Sequence, residues 1–414
     1  MTLKAIVAGA GIGGLITGMF LKQKGIDCEI YERVSELNEV GVGITLLPHA
    51  VTVLAELGLV EPIDEVSIRT EYFFLRTRRG HVAWEEPRGL RAGYAVPQLS
   101  VHRGRLQSVL FAEAQRRLPA GSIHLGEGVV GFKDTGKSVV ATLSGADGRT
   151  REVEGDILIG ADGIHSTVRG VLHPNEGMPR WSGRMLWRGA VDWPVFLDGR
   201  TVIITGGSDR KFVLYPIGPG KTPQTRLTNW ASVIRVAEEG TAPPQREDWS
   251  REALHEDLLP VLKDFVIPET DIEALVAATP VFWEFPMCDR EPLTHWSQGR
   301  VTLLGDAAHP MYPFGANGAA QAILDAKCVA EKLAAGGAPA AALEAYERER
   351  LPLANKVVAT NRTGGPEGVI DAVEARYRDG IEDVEQLLPF AQREAIVRGY
   401  ANLAGFARHQ LSGA

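Results

Sequence analysis

The chain has 414 residues, of which 44% are apolar and 23% are charged. These proportions are ordinary for a globular protein, and the length favours two or three domains with room to bury a large cofactor. A formal net charge of -8 argues against the basic surface that nucleic acid or anionic lipid would need. No apolar run reaches the roughly 20 residues of a membrane span. The predicted partners are therefore small molecules, with no nucleic acid and no stable membrane insertion.

The cysteines and the first residues indicate the cellular compartment of the protein. Cys28, Cys288 and Cys328 lack the spacing of metal ligands or of a disulfide framework, so the sequence predicts neither. Residues 1–4 lead directly into an apolar run, which leaves no room for a secretory signal. The sequence therefore predicts a cytoplasmic protein, as a monomer or a homodimer.

The opening of the chain reads as a strand, a helix and a second strand. An apolar run at 5–8 meets a glycine turn, and a helical pattern follows until Gly25. The second strand, 28–31, closes on an acid, Glu32. Such a turn lets a pyrophosphate approach the N-terminus of the helix, and the acid can accept hydrogen bonds from a ribose. The turn alone leaves NAD, FAD and a purely structural packing role open.

The pattern then changes twice along the chain. The segments 71–94 and 184–229 alternate apolar and polar residues and are rich in β-favouring residues, which predicts a separate, mainly antiparallel sheet. Buried-looking strands at 156–160 and 300–304 return the chain to an α/β pattern. We therefore predict a discontinuous Rossmann-type domain interrupted by an inserted sheet, with a helical tail. The predicted boundaries are 1–70, 96–180 and 290–360 for the cofactor domain, 71–95 and 181–289 for the substrate domain, and 361–414 for the tail.

The segment from residue 316 onward has a helical pattern, and the sequence predicts two positions at which a helix breaks. One is Pro352, and the other is the Gly-Gly-Pro run at 364–366. Within the tail, the segments 384–390 and 395–406 have amphipathic patterns.

Two later segments carry a family resemblance. Residues 160–169 and residues 305–310 each follow a predicted strand, with Asp162 and Asp306 close to the strand end. Together with the glycine turn, they resemble the three fingerprints of the class A flavoprotein aromatic hydroxylases, the family of para-hydroxybenzoate and salicylate hydroxylases. The resemblance spans residues 3 to about 360. Further segments, at 41–44, 102–104, 187–189, 215–217 and 311–319, are most similar to the 5-methylphenazine-1-carboxylate 1-monooxygenase branch.

The resemblance implies a single-component FAD enzyme. NADH or NADPH would bind transiently and reduce FAD, O2 would form a C4a-hydroperoxyflavin, and this would hydroxylate an aromatic or N-heteroaromatic substrate. Phenazine, quinoline, pyridine and phenolic acids all remain candidates. The expected FAD contacts are Gly9, Gly11, Gly13, Gly14, Glu32, Gly43, Arg103, Val129, Asp162, Asp306, Gly315, Asn317, Gly318 and Ala319.

Several of these contacts have specific expected roles. The resemblance gives Arg103 a phosphate contact, Asp306 a ribityl contact and Val129 a position flanking adenine. Asp162 is expected at the pyrophosphate, with a turn-ordering role as its alternative. The segment 313–319 should bring a helix N-terminus to the flavin, where backbone N–H groups stabilise its anionic reduced form.

The substrate site is expected where the inserted sheet faces the flavin. The catalytic candidates are Arg188, as a clamp for a substrate carboxylate, Tyr215, as a partner of a phenolic oxygen, and Pro313 of the adjoining loop. A structural ion pair and an ordinary strand tyrosine are the alternatives for the first two. The substrate-binding candidates are Thr45, His49, Trp187, Tyr215 and Phe314. His49 is interpreted either as a base or as part of a helix start.

Two other functions remain open from the sequence. A flavin oxygenase of the same fold could catalyse Baeyer-Villiger oxidation, epoxidation or N-oxygenation. A non-catalytic FAD-binding sensor is the alternative outside enzymes, and oxygen-dependent consumption of NAD(P)H separates the two classes.

Overall fold

A computed structural model of the protein describes residues 3–37, 42–244, 251–377 and 383–411. Gly41, in one of the segments that carry the resemblance, lies outside these ranges. The strands in chain order are β1 (Lys4–Ala8), β2 (Asp27–Glu32), β3 (Gly43–Leu46), β4 (Ser67–Thr70), β5 (Tyr72–Arg76), β6 (Val82–Pro87), β7 (Gln98–His102), β8 (Ile123–Leu125), β9 (Glu127–Asp134), β10 (Val139–Gly145), β11 (Thr150–Gly155), β12 (Ile157–Gly160), β13 (Arg180–Pro194), β14 (Thr201–Thr205), β15 (Arg210–Pro219), β16 (Thr225–Arg235), β17 (Phe282–Asp289) and β18 (Val301–Leu303).

The helices are concentrated at the start and in the last hundred residues of the chain. In chain order they are α1 (Ile12–Gln23), α2 (Pro48–Glu56), α3 (Val60–Asp64), α4 (Arg103–Arg117), α5 (Thr167–Leu172), α6 (His255–Leu262), α7 (Ile272–Ala277), α8 (Gly318–Ala334), α9 (Pro339–Arg362), α10 (Gly368–Glu374), α11 (Val384–Leu387), α12 (Phe390–Leu403) and α13 (Arg408–Leu411).

A parallel sheet forms the first layer, in the order β18-β12-β1-β2-β8. Its central strands are almost wholly buried, as apolar runs without alternation predict for a sheet covered on both faces. The helices α1, α4 and α8 share its hydrophobic core. The carboxyl ends of β1, β12 and β18 meet at one edge, so the turns that follow them lie together.

A larger sheet forms the second layer, in the order β17-β13-β16-β15-β14-β5-β6. All of its pairs are antiparallel except β14 with β5, which run parallel. The predicted α/β fold class with an inserted, mainly antiparallel sheet is therefore confirmed. Two smaller sheets, β11-β10-β9 and β3-β7-β4, complete the strands.

The strands of the two main sheets come from separate stretches of chain. Those of the parallel sheet come from the first 160 residues and from 301–303, and those of the large sheet from 72–87 and 180–289. The exact domain boundaries stay predictions. In the parts of the chain described above, no helix combines the length and apolar character needed to cross a bilayer.

The structure corrects one predicted helix break. Pro352 lies inside α9, which continues to Arg362. A proline removes one backbone donor and strains the preceding turn, but this residue is on the exposed side of the helix, where water can solvate the freed carbonyl. The second predicted break is confirmed, because α9 ends just before Gly364, whose φ is +97°.

Candidate active site

The turn between β1 and α1 brings backbone unusually close to backbone. Gly9 has a φ of +102°, and a Cβ there would lie 2.5 Å from a carbonyl oxygen just after β12. A Cβ on Gly14 would lie 2.0 Å from the carbonyl oxygen of Gly9, and one on Gly13 would lie 2.7 Å from the Leu304 side chain. These positions need glycine for close packing. A Cβ on Gly11 would meet no described atom within 4 Å, so this face of the turn is open to a ligand.

The N-terminus of α1 is suited to an anion. Gly11 provides the N-cap, and the structure shows no side-chain cap and no acid in the first turn. Exposed N–H groups and the helix dipole favour a phosphate at such a position. Glu32 braces the turn, because its Oε2 accepts the Ala10 N–H at 2.9 Å and its Oε1 accepts the Val34 N–H at 3.1 Å. A carboxylate has about four acceptor sites, so Glu32 can accept a further bond.

Asp306 and Arg103 lie near each other where β18 ends. Asp306 lies in the short 3-10 turn after the strand, and its side chain is solvent-accessible. Surrounding protein nevertheless raises the pKa of this carboxyl, while the nearby His309 and Arg103 oppose that rise. Burial also lowers the pKa of Arg103, at the start of α4, and Asp306 counters it. A carboxyl that is accessible and yet closely surrounded by protein can accept a hydrogen bond from a hydroxylated ligand.

Asp162 orders the turn that leads into α5. Its carboxylate accepts the Ser166 hydroxyl, the Thr167 N–H at 2.7 Å and the Val168 N–H at 3.3 Å. The turn-ordering alternative is thus visible in the structure. A contact between Asp162 and a cofactor stays a prediction.

The loop before α8 has two residues in the left-handed region. Gly315 has a φ of +69°, and Ala316, which carries a side chain, has a φ of +54°. For a residue other than glycine, this conformation is strained by about 1–3 kcal/mol and persists only where its surroundings enforce it. Helix α8 then begins at Gly318 without a side-chain cap or an acid in its first turn. Its N-terminus can therefore stabilise negative charge on a neighbouring group.

A cavity of about 160 Å³ lies between this loop and the large sheet. Its wall is mostly apolar, with contributions from Phe73, Leu186, Val202 and Phe314. A small set of polar side chains also faces it, as in a typical small-molecule site. These are Thr45, Arg88, Gln98, Arg188, Lys211, Tyr215, Asn229 and Glu367.

Strand alternation decides which residues of β13 reach the cavity. Leu186 and Arg188 line it, whereas Trp187 points to the opposite face of the sheet. There the indole N–H donates to Glu284 at 3.0 Å, and the ring packs in a separate hydrophobic core. The structure therefore does not bring Trp187 to the cavity with the other substrate-site candidates.

Arg188 and Tyr215 give the cavity a cation and a neutral phenol. Burial lowers the pKa of Arg188 to about 9, with a further contribution from Arg103, so the guanidinium remains charged at neutral pH. It lies over the Phe285 ring at 4.7 Å. Burial raises the pKa of Tyr215, and its hydroxyl therefore stays protonated. The Arg188 guanidinium can bind an anionic group of a ligand, and the phenol can donate a hydrogen bond to an oxygen.

Gly43 packs tightly against the phenol. Its N–H donates to Asn229 Oδ1 at 2.7 Å, which ties β3 to β16. A Cβ on Gly43 would lie 2.7 Å from Tyr215 Oη and 2.8 Å from both Asn229 Cγ and Ile217 Cγ2. The glycine therefore fixes the position of the phenol in the cavity wall.

Comparison with known proteins identifies the family. A family model described as an FAD binding domain matches residues 2–361. The chain belongs to this family of FAD-dependent aromatic hydroxylases. The resemblance inferred from the three motifs, and FAD as the cofactor, are both confirmed.

Several relatives of this flavoenzyme are named as hydroxylases of aromatic acids. It is 39% identical to the phenazine 1,6-dicarboxylic acid hydroxylase PhzS of Lysobacter antibioticus, over 86% of this chain and 88% of the relative. It is 30% identical to 3-hydroxybenzoate 6-hydroxylase 1 of Aquipseudomonas alcaligenes, over 86% and 87% of the two chains. Klebsiella pneumoniae HpxO, solved with FAD and uric acid, is 25% identical, with a TM-score of 0.75 and coverage of 97% and 96%.

The residues at these strand ends and helix starts fit FAD. The open face at Gly11 and the uncapped start of α1 suit its pyrophosphate, and the accessible Asp306 suits a hydroxyl of its ribityl chain. The loop from Pro313 and the uncapped start of α8 suit an anionic ring edge, and Ala319 lies in that first turn. Individual contacts to the cofactor stay predictions.

His49 and Val129, like Trp187, lie away from the cavity wall. His49, in α2, is buried and stacks on Phe406 with ring centroids 5.6 Å apart. Burial and the nearby Arg350 lower its pKa to about 3, so it is neutral at physiological pH. Val129, in β9, is buried in the core that surrounds the parallel sheet. Its predicted place beside adenine is untested.

Sequence reasoning missed a buried ion pair in the cavity wall. Lys211 Nζ pairs with the Glu367 carboxylate and lies 3.6 Å from the centre of the Phe314 ring. Asn229 was missed as well. No signal in the sequence indicated the ion pair, because Lys211 and Glu367 are 156 positions apart. None indicated Asn229, because that residue lies in a segment with an ordinary strand pattern.

Proposed function

We propose that this flavoenzyme hydroxylates a planar aromatic or N-heteroaromatic acid, using O2 and electrons from NADH or NADPH. The observation that carries the proposal is the apolar cavity that holds Arg188 and Tyr215 opposite the Pro313 loop. The family membership supports the reaction type. Relatives named for phenazine, hydroxybenzoate and hydroxynicotinate oxidation support the substrate class.

The main features of the site each have a role in the proposed reaction. Arg188 binds the substrate carboxylate, since a guanidinium matches a carboxylate with two parallel hydrogen bonds. Tyr215 donates to an oxygen on the ring and thereby fixes which carbon faces the cofactor. The apolar wall excludes water, and the N-terminus of α8 favours negative charge beside it. Reduced FAD, when bound, supplies the activated oxygen that is transferred to the ring.

The first experiment asks whether an aromatic acid stimulates turnover. The purified FAD-loaded enzyme is given NADH or NADPH and a panel of phenazine, quinoline, pyridine and phenolic acids. We expect oxygen uptake that one class of acid stimulates, with a product hydroxylated on the ring. A ring-expanded, epoxidised or N-oxidised product would instead support the other oxygenase functions, and no stimulated uptake with any compound would favour the sensor.

The second experiment tests recognition of the carboxylate. Arg188→Gln should weaken binding of the preferred acid at least tenfold and change binding of its carboxamide much less, because only the acid is charged. The matched control is Arg235→Gln on neighbouring β16, which removes an exposed ion pair with Asp209 and should leave both affinities unchanged. Equal affinity of the wild type for acid and amide would contradict anion recognition.

The location and the assembly of the enzyme stay predictions. The sequence favours a cytoplasmic monomer or homodimer. Gel filtration with light scattering measures the oligomeric state directly.

A further inference from the structure

The loop that faces the proposed flavin site is held by a residue near the end of the chain. Tyr400 lies in α12, beyond residue 361, where the family match ends. Its side chain is 3% exposed, and its ring packs against the outer face of Gly315. A Cβ on Gly315 would lie 2.2 Å from Tyr400 Oη, so ring and backbone are in direct contact.

The hydroxyl of Tyr400 joins both ends of this loop. It accepts the side-chain N–H of Asn317 at 2.9 Å, and its proton points to Asn361 Oδ1 at 2.9 Å or to the Phe314 carbonyl at 3.3 Å. Asn361 in turn donates to the Tyr312 carbonyl at 2.9 Å. Asn317 and Asn361 are both fully buried. Removal of the hydroxyl would therefore leave buried polar groups without a partner.

These contacts surround the strained part of the loop. Ala316, with a φ of +54°, lies between Gly315 and Asn317, which Tyr400 contacts on either side. A strained backbone persists only while its surroundings enforce it. On the other side, Glu367 Oε1 accepts the Gly315 N–H at 3.3 Å, but it makes no bond to the segment that starts α8.

From this arrangement we propose that Tyr400 is a positioning residue that sets the conformation of residues 313–318 and thereby the electrostatic environment of the flavin ring. The inference rests on the proposed function, because it requires the flavin to lie beside this loop. The residue acts through Asn317 and the backbone, without touching the substrate cavity itself.

The test uses Tyr400→Phe, which retains the ring against Gly315 and removes only the hydroxyl. Amide hydrogen exchange of the cofactor-free protein should become at least tenfold faster at 315–318. In the FAD-loaded variant, the dissociation constant for sulfite, which adds to oxidised flavin, should change at least fivefold. Sulfite affinity reports stabilisation of the negative charge that the adduct places on the flavin.

The matched control is Tyr94→Phe. The Tyr94 hydroxyl donates to the Phe406 carbonyl at 2.7 Å, so this variant also removes one tyrosine hydroxyl that anchors the C-terminal helices. It leaves the contacts of the loop intact, and exchange and sulfite affinity should remain within twofold of the wild type. Equal changes in both variants would show that docking of the tail, rather than the Tyr400 hydroxyl, sets the loop.

A second variant tests the same contacts independently, in case Tyr400→Phe does not fold. Asn361→Ala removes the partner of the Tyr400 proton and the bond to Tyr312, and it should shift both readouts in the same direction. If neither variant changes loop exchange or sulfite affinity by more than twofold, the positioning role is wrong. If loop exchange rises but sulfite affinity does not change, the loop is held by Tyr400 but does not set the flavin environment, and the proposal fails at that step. A wild-type protein without bound FAD would instead contradict the cofactor assignment.

Discussion

Substitution of Gly43 by alanine is the sharpest test of how the cavity is built. The new methyl group would lie 2.7 Å from Tyr215 Oη and 2.8 Å from atoms of Asn229 and Ile217. Carbon atoms pack best at about 3.5–4.0 Å, so each neighbour would have to retreat by more than half an ångström. The three neighbours belong to β15 and β16, which pair with each other. The ladder therefore prevents them from moving apart independently.

The expected cost has a structural part and a functional part. Overpacking of this kind destabilises a protein by about 1–3 kcal/mol. The phenol and the amide would move away from their positions in the cavity, and a misplacement of about 1 Å can lower turnover by about a hundredfold. We expect a lower melting temperature and a fall in kcat/KM of about tenfold to a hundredfold, measured by thermal unfolding and by oxygen uptake with the preferred acid.

Gly131→Ala provides the matched control. Gly131 also lies in a strand, β9, but an added Cβ there meets no described atom within 4 Å. Its stability should change by less than about 0.5 kcal/mol. Adding Tyr215→Phe to Gly43→Ala removes the closest contact, so the double variant should be destabilised less than the two single effects predict. Unchanged stability and turnover in Gly43→Ala would refute the packing argument.

Two further predictions follow from buried and enclosed groups. Asp306→Ala removes the accessible carboxylate at the end of β18. It should weaken FAD binding about tenfold to a hundredfold, because a hydrogen bond to a charged group contributes about 1.5–3 kcal/mol. A variant that purifies fully yellow would contradict the ribityl contact. His49→Gln should reduce the acid sensitivity of unfolding. The pKa of about 3 in the folded protein lies below the ordinary 6.5, so between these values the unfolded state binds the extra proton and the wild type loses stability as pH falls. Melting curves from pH 7 to pH 4 measure this, and parallel curves for variant and wild type would show that His49 does not titrate as described.

The sequence was most informative where local geometry depends on glycine. The turn at Gly9 and Gly14 was predicted from a strand, a glycine pattern and a helix, and the structure shows backbone contacts that exclude a Cβ at both positions. The same logic required a glycine at Gly315, where the structure shows a φ of +69° and a Tyr400 ring that leaves no room for a Cβ. The predicted approach of this loop to the flavin stays a prediction. Such predictions succeed because the constraint is local and belongs to the glycine itself.

The substrate site was predictable only in part. Thr45, Arg188, Tyr215, Pro313 and Phe314 do line one cavity. Trp187 and His49 do not. Adjacent strand residues face opposite sides of a sheet, but the sequence does not say which side faces the cavity when both sides are covered by apolar groups.

The remaining contacts that the sequence did not predict come from the C-terminal region. They follow the motifs that carry the family resemblance, yet they supply Tyr400 to the loop, and the short turn before α10 supplies Glu367 to the cavity wall. Each contact joins residues far apart in the chain, and no periodic pattern encodes such a pair. Because the loop at Ala316 is strained, it depends on these distant groups more than a relaxed turn would. If Tyr400 positions the loop beside the flavin as we propose, divergence in this tail alters the surroundings of the flavin while all three cofactor motifs stay unchanged.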